Sequence, residues 1–142
     1  MVNNKKQLSI GNDTEFKVGR FFNEFGYWAH ILQKKQSGQP VDIVAIKGND
    51  NDCLCDTWLI DAKHLRTGEK SFPFSRIEPN QIDSLTFAKN FAKIKNIGFV
   101  ICHDDFEGKF FYLSFDKVLE IEKSGRKSAK ISELEDLKCL LK

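Results

Sequence analysis

The chain has 142 residues, 41% of them hydrophobic and thirteen of them Phe, which suits one compact domain with an aromatic-rich core. Its 22 Lys and Arg nearly balance 20 Asp and Glu, for a net charge of +2, so charge alone neither requires nor excludes a nucleic-acid partner. No apolar run approaches membrane-spanning length, and Met1 to Gln7 is polar, unlike a signal peptide, so the reading is a cytoplasmic protein with no membrane partner.

Residues 1–11 read as a flexible N-terminal tail and residues 12–142 as a single domain. A helix is expected from about Asn12 to Thr14 through Phe25, stopped by Gly26. Tyr27 to Gln33 reads as a strand, Lys34 to Pro40 as a polar turn, and Val41 to Lys47 as a short, nearly continuous apolar strand. Gly48 to Asp56, rich in Asn and Asp, reads as a loop. Thr57 to Leu65 is a further strand around Trp58, Leu59 and Ile60. Phe72 to Ile77 is short and extended. Pro79 favours a helix start, and that helix is expected to run to about Lys95. Ile97 to Cys102 and Lys109 to Phe115 are apolar strands joined through Glu107 and Gly108. Asp116 to Lys123 and Ser132 to Leu141 read as C-terminal helices. The order α-β-β-β-α-β-β-α predicts an α/β fold, a mixed central sheet flanked by helices.

Residues two apart on a strand share a face, so Asp61 and Lys63 project together in line with Leu59, and Asp42 shares a face with Val44 and Ile46. Both strands look buried. Two carboxylates placed where apolar residues belong make sense with a cation between them. Oxygen ligands suit Mg2+, with Mn2+ able to substitute, better than zinc. Lys63 would then orient or activate an attacking water and offset charge on a phosphorane-like transition state. Asp61-Ala62-Lys63 alone is equally a structural ion pair at a strand end. Pro40 and the buried Asp42 strand upstream shift the balance towards chemistry.

Glu15 lies on the helical stripe of Val18, Phe22 and Phe25 and faces the sheet, where it either reaches the metal site or closes a capping box with Asn12. Gln81 shares a stripe with Leu85, Ala88 and Ala92. It faces inward at a helix start, either toward a phosphate, a water or the Lys63 amine, or toward backbone groups. Of the four cysteines, Cys53 and Cys55 are too closely spaced for the usual zinc pair, and Cys102 and Cys139 add no second pair, which leaves reduced thiols as the simpler account. Lys34, Lys35, Arg66, Arg76, Arg126 and Lys127 are the candidates for phosphate contacts, against the alternative of ordinary solvated faces.

The ordered set Glu15, Gln39-Pro40-Val41-Asp42, Leu59-Ile60-Asp61-Ala62-Lys63, Phe72-Pro73-Phe74-Ser75-Arg76-Ile77 and Gln81, with Ser124-Gly125-Arg126-Lys127-Ser128 late in the chain, resembles the RecU-type Holliday junction resolvases of the PD-(D/E)-x-K nuclease superfamily. The resemblance covers about residues 13–131. It implies a restriction-endonuclease-like core, a homodimer, Mg2+ dependence and symmetrical nicking of four-way DNA junctions. By position it makes Glu15, Asp42, Asp61 and Lys63 catalytic, with Gln81 in support. The implied metal ligands are Asp42, Asp61, the Ala62 backbone carbonyl and Glu15. The family usually carries Glu where Asp61 stands, and a long protruding stalk ahead of the first catalytic Asp, where this chain has only Lys34 to Pro40. The expected function is therefore a Mg2+-dependent endonuclease acting on branched DNA. The alternatives are a general or restriction-like nuclease of the same fold and a catalytically inactive DNA-binding module.

Overall fold

Apolar residues on both faces of Ile43 to Ile46 and Trp58 to Ile60 require strands covered from two sides, and the chain builds its sheet around them. The structure is a computed structural model and describes residues 2–33, 39–49 and 52–141. In chain order it contains α1 (Val2–Glu24), β1 (Trp28–Ile31), β2 (Ile43–Asn49), β3 (Asp52–Leu65) and β4 (Ser71–Pro73). A short 3-10 turn (Phe74–Arg76), α2 (Pro79–Asn90), β5 (Asn96–His103) and β6 (Phe110–Ser114) follow. The chain continues through α3 (Phe115–Lys123), β7 (Ser128–Lys130), β8 (Glu135–Asp136) and α4 (Leu137–Leu141).

Six strands form one mixed sheet in the order β1-β2-β3-β5-β6-β8. Only the β3–β5 pair is parallel. A parallel pair needs a crossover, and the segment containing β4 and α2 supplies it. One face of the sheet packs Ile43, Ala45, Ile60 and Val100 against Val18 and Phe22 of α1. The other packs Phe99, Ile101, Phe111 and Leu113 with Leu85 of α2 and with Phe115, Val118 and Ile121 of α3. The result is the expected α/β architecture, a sheet between helical layers. Among the described residues no helix is long and apolar enough to cross a membrane.

The expected stop at Gly26 is realised as a left-handed cap with φ +85°. The Tyr27 N–H donates to the Phe22 carbonyl at 3.1 Å and the Gly26 N–H to the Asn23 carbonyl at 3.0 Å, the paired bonds of a Schellman end. Gly98 marks the tightest approach in the sheet, because a Cβ there would meet the Leu113 carbonyl oxygen at 2.3 Å.

Several elements differ from expectation. Of the segment expected as a loop, Gly48, Asn49 and residues 52–56 are strand and continue the β2–β3 hairpin, with Lys47 opposite Asp56 and Gly48 opposite Cys55, while residues 50 and 51 lie outside the described residues. Helix α2 ends at Asn90, where the sequence pattern extended it to Lys95. Ser132 to Leu141 is a 3-10 turn, the two-residue strand β8 and the short helix α4 in place of one helix. Strand β7, which antiparallel pairing joins to β4, has no counterpart in the sequence reading. Helix α1 begins at Val2, earlier than the expected start near Asn12 to Thr14, so Asn12 and Glu15 lie inside the helix and not at its start.

Candidate active site

The last rung of the β2–β3 ladder pairs Ile43 with Ile60. The next residues along the two strands are Asp42 and Asp61. Ile60 and Ala62 face α1, so alternation turns Asp61 and Lys63 to the opposite face, toward α2, while Asp42 sits at a bend just ahead of β2. Asp42 is fixed by its backbone. Its N–H donates to the Ile60 carbonyl at 2.9 Å and its carbonyl accepts from the Leu32 N–H at 2.8 Å. Its carboxylate Oδ2 accepts from the Ala62 N–H at 2.9 Å, which bridges the strands beside Asp61.

Asp61 is 4% exposed. Lys63 Nζ stands 2.8 Å from Asp61 Oδ2, yet among the described residues that oxygen accepts no well-aligned hydrogen bond. The contact is an ion pair without hydrogen-bond alignment. The ammonium is instead directed at the Arg76 carbonyl, 3.2 Å away. A buried carboxylate oxygen without a donor is costly, and the Lys63 charge alone leaves it incompletely satisfied.

Gln81 is 4% exposed, as its stripe predicts. Its Oε1 accepts from the Glu78 N–H at 3.0 Å in a capping box, and its Nε2 points at the Gln39 and Pro40 carbonyls, both at 3.4 Å. Of the readings open for Gln81, contact with backbone groups is the one realised. It ties the start of α2 to the turn that leads into Asp42. Glu15 is 5% exposed, on the α1 layer with Val18 and Phe22. Its helix covers the sheet face opposite the one to which Asp61 turns.

The donor set fits a hard divalent cation in one respect. Asp61 Oδ2 is a buried anionic oxygen lacking a donor, next to a second buried carboxylate, and carboxylate oxygens are the ligands such ions take. Among the described residues no three His, Cys, Asp or Glu side chains stand together as a ready metal-holding group, and Glu15, the further carboxylate the resemblance implies, is buried on α1.

Of the six basic candidates, Lys34 and Lys35 lie outside the described residues. Arg66, Arg76 and Lys127 are exposed. The small β4–β7 sheet brings the two basic groups together, with the Phe74 N–H donating to the Lys127 carbonyl at 2.9 Å. Arg76 also donates to the His64 carbonyl at 2.8 Å, and its guanidinium lies over the Phe72 ring. Arg126 is engaged otherwise, in a bidentate pair with Glu133 at 2.7 and 2.6 Å.

Two clusters escaped the sequence reading. His64 Nε2 meets Asp104 Oδ1 at 2.6 Å and holds that carboxyl below its usual range. Buried His103 accepts at Nδ1 from the Asp105 N–H, which leaves Nε2 to donate to the Glu69 carbonyl at 2.6 Å. Together they pin the loop carrying Arg66 to the end of β5. The second cluster centres on Asp56, which accepts from Tyr27, Trp58 and Asn96. Burial, with the Asp56 bond second, pushes the Tyr27 hydroxyl up to about 12. Partners so distant in sequence left no local signal.

A family model described as recombination protein U matches residues 57–142, which takes in Asp61, Lys63, Gln81 and the basic residues from Arg66 onward. No curated protein matches the chain. Among solved structures, that of Archaeoglobus fulgidus Hjc, described as a Holliday junction resolvase from an archaeal hyperthermophile, is similar with a TM-score of 0.63. The match covers 93% of this chain and 100% of that one at 16% sequence identity, a likeness of fold.

Proposed function

Because this chain belongs to the recombination protein U family, we propose that it is a metal-dependent endodeoxyribonuclease that cuts branched DNA, with the four-way Holliday junction as its chief substrate. The observation that carries the reading is Asp61 Oδ2, buried, without a hydrogen-bond donor, and 2.8 Å from Lys63 Nζ on the strand next to Asp42. A divalent cation such as Mg2+, or Mn2+ in its place, supplies a polarised phosphoryl oxygen and a more acidic attacking water when bound. Asp42 and Asp61, with the Ala62 carbonyl, are the groups to hold it.

The chain's own residues divide the remaining work. The Ala62 N–H keeps the Asp42 carboxylate beside Asp61. Lys63 offsets negative charge growing on the phosphoryl oxygens as the new O–P bond forms and the old P–O bond breaks. Its ammonium is held in place by the Arg76 carbonyl, on the turn that also presents the Arg76 guanidinium. Gln81 is a positioning residue that fixes the approach to Asp42 through Gln39 and Pro40. Arg66, Arg76 and Lys127 bind backbone phosphates without reading sequence. Cutting a junction symmetrically takes two such sites, which is the argument for a homodimer.

The test is a cleavage panel of duplex, flap, single-stranded and four-way junction DNA, each with Mg2+ and with Mn2+. The expected result is faster cutting of the junction than of the duplex, and no cutting without metal. Equal rates on all substrates would replace this reading with a general nuclease. Binding without cleavage would replace it with a binding module.

A further inference from the structure

Strand β1 is the edge of the six-stranded sheet. Ala29 and Ile31 turn inward and pack with the α1 layer. Trp28 and His30 therefore turn to the other face. Trp28 is 61% exposed, and its indole lies parallel to the His30 ring within 3°, with centroids 5.6 Å apart. Exposed aromatics on an edge strand are an aggregation liability, so a flat pair kept there calls for a use.

The register says what the pair adjoins. Trp28 stands opposite Ile46 and His30 opposite Val44, and these in turn oppose Thr57 and Leu59. All four of these β2 and β3 residues are only half-buried, so this end of the face is incompletely covered. Asp61 is two residues from Leu59 on that face, and Asp42 is two residues ahead of Val44 at the entry to β2. At about 3.3 Å per residue and about 4.8 Å between strands, His30 lies roughly 8 Å from Asp42. That is about two steps of a stacked DNA strand at about 3.4 Å each.

We propose that Trp28 and His30 form a stacking shelf for an unpaired nucleobase of the same DNA strand whose phosphate is held at Asp42, Asp61 and Lys63. The proposal rests on the nuclease reading above. A base offers the flat π-face that two parallel rings accept, whatever its identity. Bases are unpaired in single strands and leave the stack more readily at a branch point than inside continuous duplex. The shelf would therefore give branch preference to a chain with only a short segment between β1 and β2.

Tryptophan emission of the full-length, metal-free protein tests this, with a short oligothymidylate, a four-way junction and a duplex as titrants. Trp58 is buried, so Trp28 carries the response. The expected result is saturable quenching by oligothymidylate and by the junction, absent in Trp28→Ala. That variant should bind oligothymidylate about tenfold more weakly, and Trp28→Tyr, which keeps a ring, should recover most of the loss. Unchanged oligothymidylate affinity in Trp28→Ala overturns the shelf, while junction cleavage by the wild type would still support the nuclease reading. Wild-type protein that binds none of the three DNAs overturns both. Loss of dimer in Trp28→Ala at unchanged DNA affinity would assign the patch to a second copy and also overturn the shelf.

Discussion

Asp56 accepts hydrogen bonds from Tyr27, Trp58 and Asn96, whereas Asp61, farther along the same strand, keeps an oxygen that accepts none. Their burial runs the opposite way to this satisfaction. Asp56 is exposed and could be solvated without any partner, while Asp61 is 4% exposed. Alternation puts Asp56 on the side of the sheet with Trp58 and Ile60, under α1, and Asp61 on the side of α2. One carboxylate is a structural hub that joins the end of α1, β3 and the start of β5. The other is buried against a single ammonium, an arrangement that a well-packed apolar residue could replace without loss of stability. A fold can hold such a group when a cation completes it.

The largest effects are expected at Asp61. Asp61→Asn should lower single-turnover cleavage of a four-way junction by at least about a thousandfold, the scale of several kcal/mol of lost transition-state stabilisation. Lys63→Ala should do the same. The metal-free melting temperature of Asp61→Asn should fall, because the change leaves the Lys63 ammonium without its carboxylate partner. At about a hundred times its Kd, Mg2+ should stabilise the wild type by about 2.7 kcal/mol, a rise of several degrees in Tm. Asp61→Asn and Asp42→Asn should abolish that rise, and Asp56→Asn should keep it. Equal metal responses in Asp61→Asn and Asp56→Asn would erase the distinction between the two aspartates.

The opposite behaviour is expected at the hub. Tyr27→Phe removes one hydrogen bond to a charged acceptor and should cost about 1–2 kcal/mol of stability. Chemical denaturation measures it, and junction cleavage per folded molecule should not change. A Tyr27→Phe protein as stable as the wild type would show that Asp56 is satisfied by solvent and is no hub.

Much of the charged face was legible because strand alternation is strict. Asp42, Asp61 and Lys63 were placed together by period alone, and Glu15 and Gln81 were read as inward-facing and are buried. What period cannot supply is the partner. Gly48 to Asp56 looks like a loop because Asn, Asp and Gly disfavour strands, yet cross-strand pairing extends the ladder as far as Asn49 opposite Asp52. The β4–β7 pair joins segments more than fifty residues apart, and only that pairing brings Arg76 near Lys127. The Asp56 partners Tyr27 and Asn96 lie 29 and 40 residues away. Glu15 shows the limit of the period from the other side. Its stripe gave its burial correctly, but not which layer of the sheet its helix covers.

The smallest expected effect concerns a third carboxylate, one that is paired and half-buried at the surface. The Arg126 side chain, with the Lys130 N–H second, pulls the Glu133 carboxyl down to about 2 from an ordinary 4.5. A depressed carboxyl stabilises the fold above its ordinary value and loses that contribution as pH falls through its folded one. The Tm difference between wild type and Glu133→Gln should therefore be constant from neutrality down to about 4.5 and vanish toward about 2. Solvent and salt screen a surface pair, so the difference should be small and should shrink further in high salt. At neutral pH the same variant frees the Arg126 guanidinium for phosphate. DNA affinity should rise slightly, with the slope of log K against log salt steeper by about one contact. A salt slope unaltered in Glu133→Gln would remove Arg126 from the DNA-binding residues and leave that role on this side of the molecule to Arg76 and Lys127.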